Sequence, residues 1–383
     1  MKKVLHLLVC VLLSAPVMIG CEDKDPEPTP IAPILKETTM PAEDNALPGT
    51  DVRIIGKGFA AEDILHFTSK SGESNFDPEI VSVSDQDIYF KMPEEAGGIY
   101  EISVQRGELT SKLPGELKVP YLLVLSNVEI PTAPIAINAE FEIKANGFES
   151  GDEISFAPSG QPAGTTFTAT TTITADGIKV TIPEKCFGAV SITGVRGTGE
   201  TQRKVSLGEI KVPITVGTAA GGGVVFHVTD GGVHGFIVTN ALSGNYNFGP
   251  YKGAGTIKTG IGEGKTNTAN YITFINNYRL GNTWETKTAP EHCTELSKEV
   301  NGITYDDWFL PSKDELAAVF YARATISAAA LSFPANNYWS SSEWENDINW
   351  ATWYINFYEP ENLVTDGANK EGWTIGIIPV RSF

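Results

Sequence analysis

The stretch VRIIGKGF at residues 52–59, followed by DILHF at 63–67, returns 89 residues later as FEIKANGF at 141–148, followed by DEISF at 152–156. Two more pairs of stretches recur in the same order, IYFKMP at 88–93 with IKVTIP at 178–183, and GELKVP at 115–120 with GEIKVP at 208–213. Ordered matches at a nearly constant offset indicate a duplicated module. The fold of this half of the chain is therefore that of one module, used twice.

Each module has the pattern of short strands. Apolar side chains alternate with polar ones, as at Tyr100, Ile102 and Val104, and turns rich in Gly, Pro and Asp separate the runs. This pattern predicts a small β-sandwich. Gly58 and Gly147, each followed by Phe, are expected to adopt positive φ at a turn while the Phe fills the sandwich.

The two modules resemble the IPT/TIG family of immunoglobulin-like domains, whose marker is G-x-G-F followed by D-x-aliphatic-x-F. The first copy carries the marker as GKGF at residues 56–59, whereas the second has Ala145 in place of the first glycine. The resemblance implies two immunoglobulin-like domains, at residues 34–120 and 121–213, that serve as spacers.

Composition agrees with a mainly β, multidomain chain. The 383 residues are 41% hydrophobic and 20% charged, as in ordinary folded proteins, and their 38 glycines and 23 prolines favour many turns. The 28 basic residues against 47 acidic ones give a net charge of −19. Because nucleic-acid binding needs a clustered basic surface, we expect no nucleic-acid partner.

The N-terminus predicts export and a lipid anchor. Lys2 and Lys3 precede an apolar run at residues 4–17, as in a signal peptide, and the run ends in MIGC at 18–21. The last four residues resemble a bacterial lipobox, which implies a signal peptide at residues 1–20 and lipidation of Cys21. A plain signal peptide with an unrelated cysteine is the alternative.

The residues after Cys21 predict where the anchored protein lies. The acidic run EDKD at 22–25 resembles the export signal of Bacteroidetes-type surface lipoproteins, which implies the outer membrane and its outer face. The periplasmic face stays an alternative. Four prolines between residues 26 and 33 predict an extended tether over residues 21–33. We expect the protein to contact the membrane through the lipid alone.

Two cysteines lie outside the signal peptide and the lipidation site. These residues, Cys186 and Cys293, are expected to be buried and unpaired.

The composition changes near Ile214, because all seven tryptophans lie between residues 284 and 373. A hairpin is predicted over 221–238, with its turn at 230–232. Capping boxes predict helices that begin after Thr288 and after Ser312, the first with an apolar stripe extending to Val300. A third helix is expected around residues 269–278. Trp308 and Trp339 are expected in the core.

Four ordered stretches resemble the Lcl C-terminal domain family, which has a C-type-lectin-like fold. They are GIGEGKTNT at 260–268, DWFLPSKDEL at 307–316, YWSSS at 338–342 and PVR at 379–381. The resemblance implies an α+β, C-type-lectin-like domain over residues 214–383, but it assigns no ligand, because most members have none assigned. The adhesin that names the family binds sulfated glycans. The 10 basic and 17 acidic residues of 214–383 argue against such polyanions here.

Several local patterns suggest other sites. GKT at 264–266 is similar to part of a phosphate-binding loop, but position 259 holds Thr instead of the required Gly. WEND at 344–347 and EPEN at 359–362 are similar to calcium-lectin signatures, but each has an inserted residue. No cofactor is therefore predicted, and a calcium site stays an alternative. His227, Asp230 and His234 flank a turn but lack further zinc ligands. No nucleophile has a recognisable setting, so we expect no enzyme.

Side chains at residues 350–357 alternate between the two faces of a predicted strand. This alternation separates core side chains from candidate ligand-binding side chains. Trp353 shares a face with Ala351 and Ile355 and is expected to pack in the core, whereas Trp350 and Tyr354 face the other way. Trp344 lies in a polar stretch with no apolar alternation, which predicts an exposed loop. The predicted ligand-binding residues lie in or next to this loop: Trp344, Asn346, Asp347, Trp350 and Tyr354.

Two functions fit these features. Aromatic rings beside amides and carboxylates suit a glycan, so the leading hypothesis is a surface lipoprotein whose C-terminal domain binds glycan and is held off the membrane by two spacers. The alternative is an adhesin that binds host or cell-surface protein, or an assembly component, with the same face and no glycan ligand.

Overall fold

The computed structural model describes residues 33, 35–329, 331, 333–359 and 361–383. The predicted signal peptide, Cys21 and the tether up to residue 32 lie outside the described residues. The fold is mainly β, as predicted, and consists of several antiparallel sheets. The described residues divide into two compact units: those up to 119, except 95–98, form one, and those at 95–98 and 120–383 form the other. No helix in the described ranges is long and apolar enough to cross a membrane.

The first repeat contains two antiparallel sheets, ordered β1-β2-β5-β4 and β3-β6-β7, with β8 paired to β6. Its strands are β1 (Lys36–Thr39), β2 (Asp51–Lys57), β3 (Ile64–Ser69), β4 (Glu79–Ser84), β5 (Asp87–Lys91), β6 (Gly98–Arg106), β7 (Leu109–Lys112) and β8 (Leu117–Val119). Phe67 of one sheet and Phe90 of the other lie with ring centroids 5.2 Å apart, so the two sheets enclose the core.

The second repeat has the same plan, with sheets ordered β9-β10-β14-β13 and β12-β11-β15-β16. Its strands are β9 (Ser126–Glu129), β10 (Glu140–Asn146), β11 (Glu153–Pro158), β12 (Phe167–Ala169), β13 (Thr171–Ile173), β14 (Gly177–Thr181), β15 (Gly188–Arg196) and β16 (Arg203–Val212). Phe141 and Phe156 meet across these two sheets at 6.4 Å. Both repeats are therefore β-sandwiches.

An ion pair between a buried aspartate and a partly exposed arginine is repeated at the glycine turn of both sandwiches. In the first, Arg106 donates through Nε to Asp63 Oδ1 at 2.7 Å and through Nη2 to the Gly58 carbonyl at 2.8 Å. In the second, Arg196 makes the same two bonds to Asp152 and Gly147, each at 2.7 Å. The expected positive φ is confirmed, at 95° for Gly58 and 103° for Gly147.

Three helices and nine strands are described in residues 214–383, together with a 3-10 turn at Asp230–Gly232. They are β17 (Ala219–Ala220), β18 (Gly223–Thr229), β19 (His234–Val238), α1 (Gly264–Arg279), α2 (Ala289–Thr294), β20 (Lys298–Val300), β21 (Ile303–Tyr305), α3 (Lys313–Ala328), β22 (Asn337–Glu343), β23 (Ala351–Asn356), β24 (Val364–Asn369) and β25 (Val380–Ser382). Two further 3-10 turns lie in the repeats, at Glu43–Asn45 and Gly199–Thr201.

The capping boxes at Thr288 and Ser312 are confirmed as the starts of α2 and α3, and the hairpin of β18 and β19 is confirmed as well. The predicted extension of α2 to Val300 is wrong. Val300 pairs with Ile303 across a two-residue turn in which Asn301 and Gly302 have φ of 53° and 77°. An Asn-Gly pair favours this turn, and it outweighs the helical spacing of the apolar side chains.

The sheet β22-β23-β24 lies between α3 and α1. On one face Ile355 packs with Leu316 and Phe320 of α3. On the other, Trp339 and Ala368 pack with Tyr271 of α1 and with other buried residues, a group we call the α1 cluster: Phe248, Tyr271, Ile275, Ala289, Cys293, Leu310, Trp339, Ala368, Ile375 and Ile377. Trp339 and Trp308 are buried, as predicted.

Cys186 and Cys293 are free and buried, which confirms their assignment to packing. Burial raises the pKa of the Cys186 thiol to about 12, and it raises the pKa of Cys293 as well. Both side chains are therefore protonated at neutral pH and unsuited to act as nucleophiles.

The second repeat and the C-terminal region share a hydrophobic cluster. Phe187 of the second repeat packs with Tyr305, Trp308 and Phe383, and the Phe187 and Phe383 rings lie 5.3 Å apart. The side chain of Arg381 donates to the Gly160 carbonyl at 3.1 Å. Residues on both sides of position 213 therefore contribute to one core.

Candidate functional site

The glycine loop at residues 260–264 surrounds a carboxylate of the protein itself. Glu315 Oε1 accepts from the amides of Gly262 at 2.8 Å and Gly264 at 3.4 Å, while Oε2 accepts from the Ser312 amide at 2.8 Å. Burial raises the pKa of Glu315 although these amides oppose the shift. The amides that would hold a phosphate are thus occupied, which argues against a nucleotide site.

Two loops near the predicted ligand-binding residues are anchored by a buried ion pair. Glu343, at the end of β22, accepts from the amides of Ala254 and Thr256 at 2.9 and 2.8 Å. Lys370, just after β24, donates to Glu343 Oε1 and to the Ile348 carbonyl, both at 2.5 Å. Burial lowers the pKa of Lys370. The pair holds the loop at 344–350 and the segment at 252–256 against the sheet.

The loop at 344–350 is a compact turn. The amides of Trp350 and Ala351 donate to the Asp347 carbonyl at 3.1 and 3.0 Å, and the Asp347 amide donates to the Trp344 carbonyl at 3.0 Å. The side chains of Asn346 and Asp347 are exposed, as predicted. Their backbone is fixed by these bonds, so both side chains are presented from a defined position.

Trp344 lies on the face of the sheet that packs on α3. Its ring meets that of Trp353 edge to face, with centroids 6.2 Å apart, and covers Gly367, where a Cβ atom would lie 2.6 Å from Trp344 Cε3. Gly367 is paired with Trp353 across the strands, so all three positions share one face. The ring is half-buried and packs on the sheet.

Trp353 is not a core residue, contrary to the sequence prediction. It is half-buried: its Nε1 donates to Glu345 Oε2 at 2.9 Å, and Lys313 Nζ lies 3.5 Å from its ring centroid. Trp353 shares the face of Ile355 as predicted, but at the end of the strand near Lys313, the first residue of α3. Alternation gives the face of a strand residue and does not give the extent to which the opposing helix covers it.

Tyr354 lies on the opposite face, across from Trp339 and beside the α1 cluster. Its ring centroid is 6.2 Å from that of Trp373, with the planes tilted by 47°. Trp373 is 48% exposed and Trp350 is 44% exposed. The structure therefore brings Tyr354 together with Trp373, and it places Trp344 on the other side of the sheet.

Sequence reasoning missed Trp373. A polar turn at 369–372 presents it: Asn369 Oδ1 accepts from the amides of Glu371 and Gly372, and Asn247 Nδ2 donates to the Trp373 carbonyl at 3.3 Å. NKEGWT at 369–374 is a polar stretch with one tryptophan, the same signal that singled out Trp344. The same reasoning applied to this segment would have identified Trp373.

A carboxylate lies beside the Tyr354–Trp373 pair. Asp366 is exposed and stands directly across the strands from Tyr354, and burial together with the Asp366 charge raises the pKa of Tyr354. Within the described ranges Asp366 has no basic partner, and its Oδ1 accepts from the Gly367 amide at 2.7 Å. The pair thus combines two aromatic rings with an exposed carboxylate on one face.

Metal ligands do not converge in the part of the chain that the structure describes, where no three His, Cys, Asp or Glu side chains are grouped to hold an ion. His227 lies in β18 with its ring 6.2 Å from that of Phe236, while His234 begins β19 and is exposed. The calcium alternative at 344–347 and 359–362 gains no support from the geometry of the described residues.

No family model matches this chain, and no curated protein matches it in sequence. Among solved structures, it is similar to a titin A168–A169 fragment at 11% identity, covering 44% of this chain and 94% of that one, with a TM-score of 0.22. It is similar at 17% identity to the Bacteroides ovatus mixed-linkage glucan utilization locus SGBP-B in complex with a heptasaccharide, covering 50% and 46%, with a TM-score of 0.16.

A third similarity is to a protein solved with a xylogluco-oligosaccharide, at 13% identity, covering 56% of this chain and 50% of that one, with a TM-score of 0.28. The chain thus spans about half the length of each of these two oligosaccharide complexes. TM-scores this low carry no argument about function. The IPT/TIG and Lcl resemblances stay predictions.

Proposed function

We propose that this chain is a surface lipoprotein whose C-terminal region, residues 214–383, binds glycan through a face that contains Tyr354 and Trp373. The two sandwiches act as spacers, and Cys21 carries the lipid that holds the protein on the outer membrane, facing outward. The protein acts as a binding module, without catalysis and without a cofactor.

The observation that carries this proposal is the contact between the half-buried Tyr354 and the exposed Trp373, with the Asp366 carboxylate beside them. Sugar rings stack their apolar C–H faces on aromatic rings, while carboxylates and amides accept and donate hydrogen bonds to sugar hydroxyls. Core packing does not explain a tryptophan whose indole is half exposed on a polar turn. Contact with a ligand would explain it. The pair supplies both parts of such a contact.

The Trp344–Trp353 pair suits a ligand less well, because its surfaces are already used. Lys313 covers one face of Trp353, and Trp344 covers the backbone at Gly367. Trp350, in contrast, is exposed and lies in the turn that precedes β23. Its ring offers a further aromatic surface to an oligosaccharide. Asn346 and Asp347, in the turn before Trp350, remain candidates to bond its hydroxyls.

Charge selects the class of glycan. Residues 214–383 carry 10 basic and 17 acidic side chains, and Asp366 is itself an anion next to the rings. A sulfated or otherwise polyanionic chain would be repelled. The expected ligand is therefore a neutral oligosaccharide.

A glycan array tests this proposal directly. The purified protein is applied to printed neutral and sulfated oligosaccharides, and a blot of cell-surface proteins stripped of glycans serves as the control for protein binding. Binding to neutral oligosaccharides is expected. Binding to deglycosylated protein alone would support the alternative, a protein-binding adhesin or assembly component, and would overturn the glycan proposal.

A further inference from the structure

A cavity of about 570 Å³ lies between the second sandwich and the C-terminal region, away from the Tyr354–Trp373 pair. Phe187, Glu184 and Lys185 line it from the sandwich, and Lys298, Tyr305 and Leu331 line it from the C-terminal region. Pockets for small ligands have about 300–1,000 Å³, are mostly apolar and contain a few placed polar groups. This cavity meets those criteria.

Two hydrogen bonds hold the walls of the cavity in place, the first across the interface and the second within the sandwich. Tyr305 donates through its hydroxyl to Gln161 Oε1 at 2.7 Å, and Gln161 Nε2 donates to the Lys185 carbonyl at 2.8 Å. All three residues line the cavity. A ligand therefore meets a preformed site and does not have to order it, which favours binding.

Glycines keep one wall open. Gly221 and Gly222 have φ of 57° and 83°, and a Cβ atom on Gly222 would lie 2.8 Å from the Tyr305 ring. A side chain at either position would be strained and would enter space next to the cavity. The backbone of Gly222 lies directly against the Tyr305 ring, and neither glycine has a side chain that would fill the cavity.

Two lysines line the cavity without acidic partners. Lys185 Nζ donates to the Asn301 carbonyl at 3.4 Å, and Lys298 Nζ donates to Thr239 Oγ1 at 3.2 Å. Neither ammonium lies within 4 Å of a carboxylate in the described residues, although acidic side chains outnumber basic ones in this protein. Burial lowers the pKa of Lys298, and no carboxylate in the described residues opposes that shift.

The net charge of the residues that line the cavity favours a ligand with a single negative charge. Glu184 also lines the cavity and is exposed, without an ion pair to either lysine in the described residues. Two ammonium groups and one carboxylate leave a local charge of about +1. A monoanion neutralises this charge, whereas a phosphate dianion would leave the occupied site with a net negative charge.

We propose that the cavity between the second sandwich and the C-terminal region binds a small carboxylated ligand of the size of an acidic monosaccharide. Its carboxylate pairs with Lys298 and Lys185, and its ring lies against the apolar wall that includes Phe187 and Leu331. This site is separate from the proposed glycan surface and does not depend on it.

Titration calorimetry of the purified full protein with D-glucuronate tests this proposal, with D-glucose as the neutral match and inorganic phosphate as the simple anion. Glucuronate is expected to bind with a Kd in the millimolar range or tighter, at least about tenfold more tightly than glucose or phosphate. Equal binding of glucose and glucuronate, a preference for phosphate, or no heat from glucuronate would each overturn the proposal.

Variants locate the site. Lys298→Met keeps the apolar stem without the charge and is expected to weaken glucuronate binding at least about tenfold, while Lys298→Arg keeps most of it. Lys204→Met, at an exposed lysine of β16 away from the cavity, is the matched control and should bind normally. Unchanged binding in Lys298→Met with an unchanged melting temperature would overturn the assignment. A loss in Trp373→Ala would also contradict it, since that residue belongs to the other site.

Discussion

Lys370 and Glu343 form an ion pair that is completely inaccessible to solvent, with Nζ 2.5 Å from Oε1. The pair connects the end of β24 to the end of β22, and its other hydrogen bonds hold the loops on either side. Burial lowers the pKa of Lys370 even though Glu343 opposes the shift, because removing an ammonium group from water is costly.

Breaking the pair on one side is therefore expected to be costly. Lys370→Met leaves a buried carboxylate without its cation, and we expect a loss of about 3 to 5 kcal/mol in the free energy of unfolding, measured by urea denaturation. The double variant Lys370→Met with Glu343→Met is expected to recover much of the loss. If the double variant is as unstable as the sum of the two single variants, the residues do not act as a pair.

The repeated ion pairs at the glycine turns predict separable effects, because all seven tryptophans lie in the larger unit. Asp152→Ala is expected to cost about 2 to 4 kcal/mol and to shift the unfolding transition seen by tryptophan fluorescence. Asp63→Ala should cost a similar amount but shift only a transition seen by circular dichroism or calorimetry. A fluorescence shift in Asp63→Ala would contradict the division into two units.

The cluster shared across position 213 predicts the behaviour of shortened proteins. A protein that begins at Val212 retains α1, α3 and their sheet, so it should fold, but Tyr305 and Phe383 lose Phe187 as a neighbour. We expect it to melt at a lower temperature than a protein that begins at Pro120, as measured by near-ultraviolet circular dichroism. Equal melting temperatures would mean that the shared cluster contributes nothing.

Sequence alone predicted the parts of this fold that depend on local chemistry. The repeated glycine turns, the capping boxes at Thr288 and Ser312 and the burial of Trp308 and Trp339 all follow from residue type and spacing. The end of α2 was wrong, because the spacing of apolar residues continued past the helix into a strand whose Asn301-Gly302 turn went unrecognised. The spacing of the apolar residues favours a helix there, whereas the Asn-Gly pair favours a turn between strands. The structure has the turn.

The candidate site was harder to predict, because its members come together through contacts distant in sequence. Nothing near Trp353 in sequence indicates Lys313, and nothing near Tyr354 indicates Trp373. The Glu343–Lys370 pair was missed for the same reason, since its residues are 27 positions apart. The polarity of the surrounding stretch was the sequence signal for an exposed tryptophan. It is right for Trp373, which is exposed, and less so for Trp344, which is half-buried.

The lipid anchor stays a prediction that one substitution tests. Cys21→Ser removes the thiol that would carry the lipid, so the protein is expected in a soluble exported fraction, whereas the parent should incorporate labelled fatty acid and sediment with membranes. Protease treatment of intact cells then distinguishes the outer surface from the periplasmic face. Membrane partitioning of Cys21→Ser, with no labelled fatty acid in the parent, would contradict the anchor.

The central claim is that the Tyr354–Trp373 face binds glycan, and one comparison of two tryptophan variants tests it most directly. Calorimetric titration with the neutral oligosaccharide bound best on the array is performed for Trp373→Ala and Trp344→Ala. Trp373→Ala is expected to lose binding with its melting temperature within a few degrees of the parent. Trp344→Ala, which removes a half-buried ring from Gly367, is expected to lose about 1 to 3 kcal/mol of stability yet bind while folded. Loss of binding in folded Trp344→Ala, with normal binding in Trp373→Ala, would contradict the account and place the site on the α3 face.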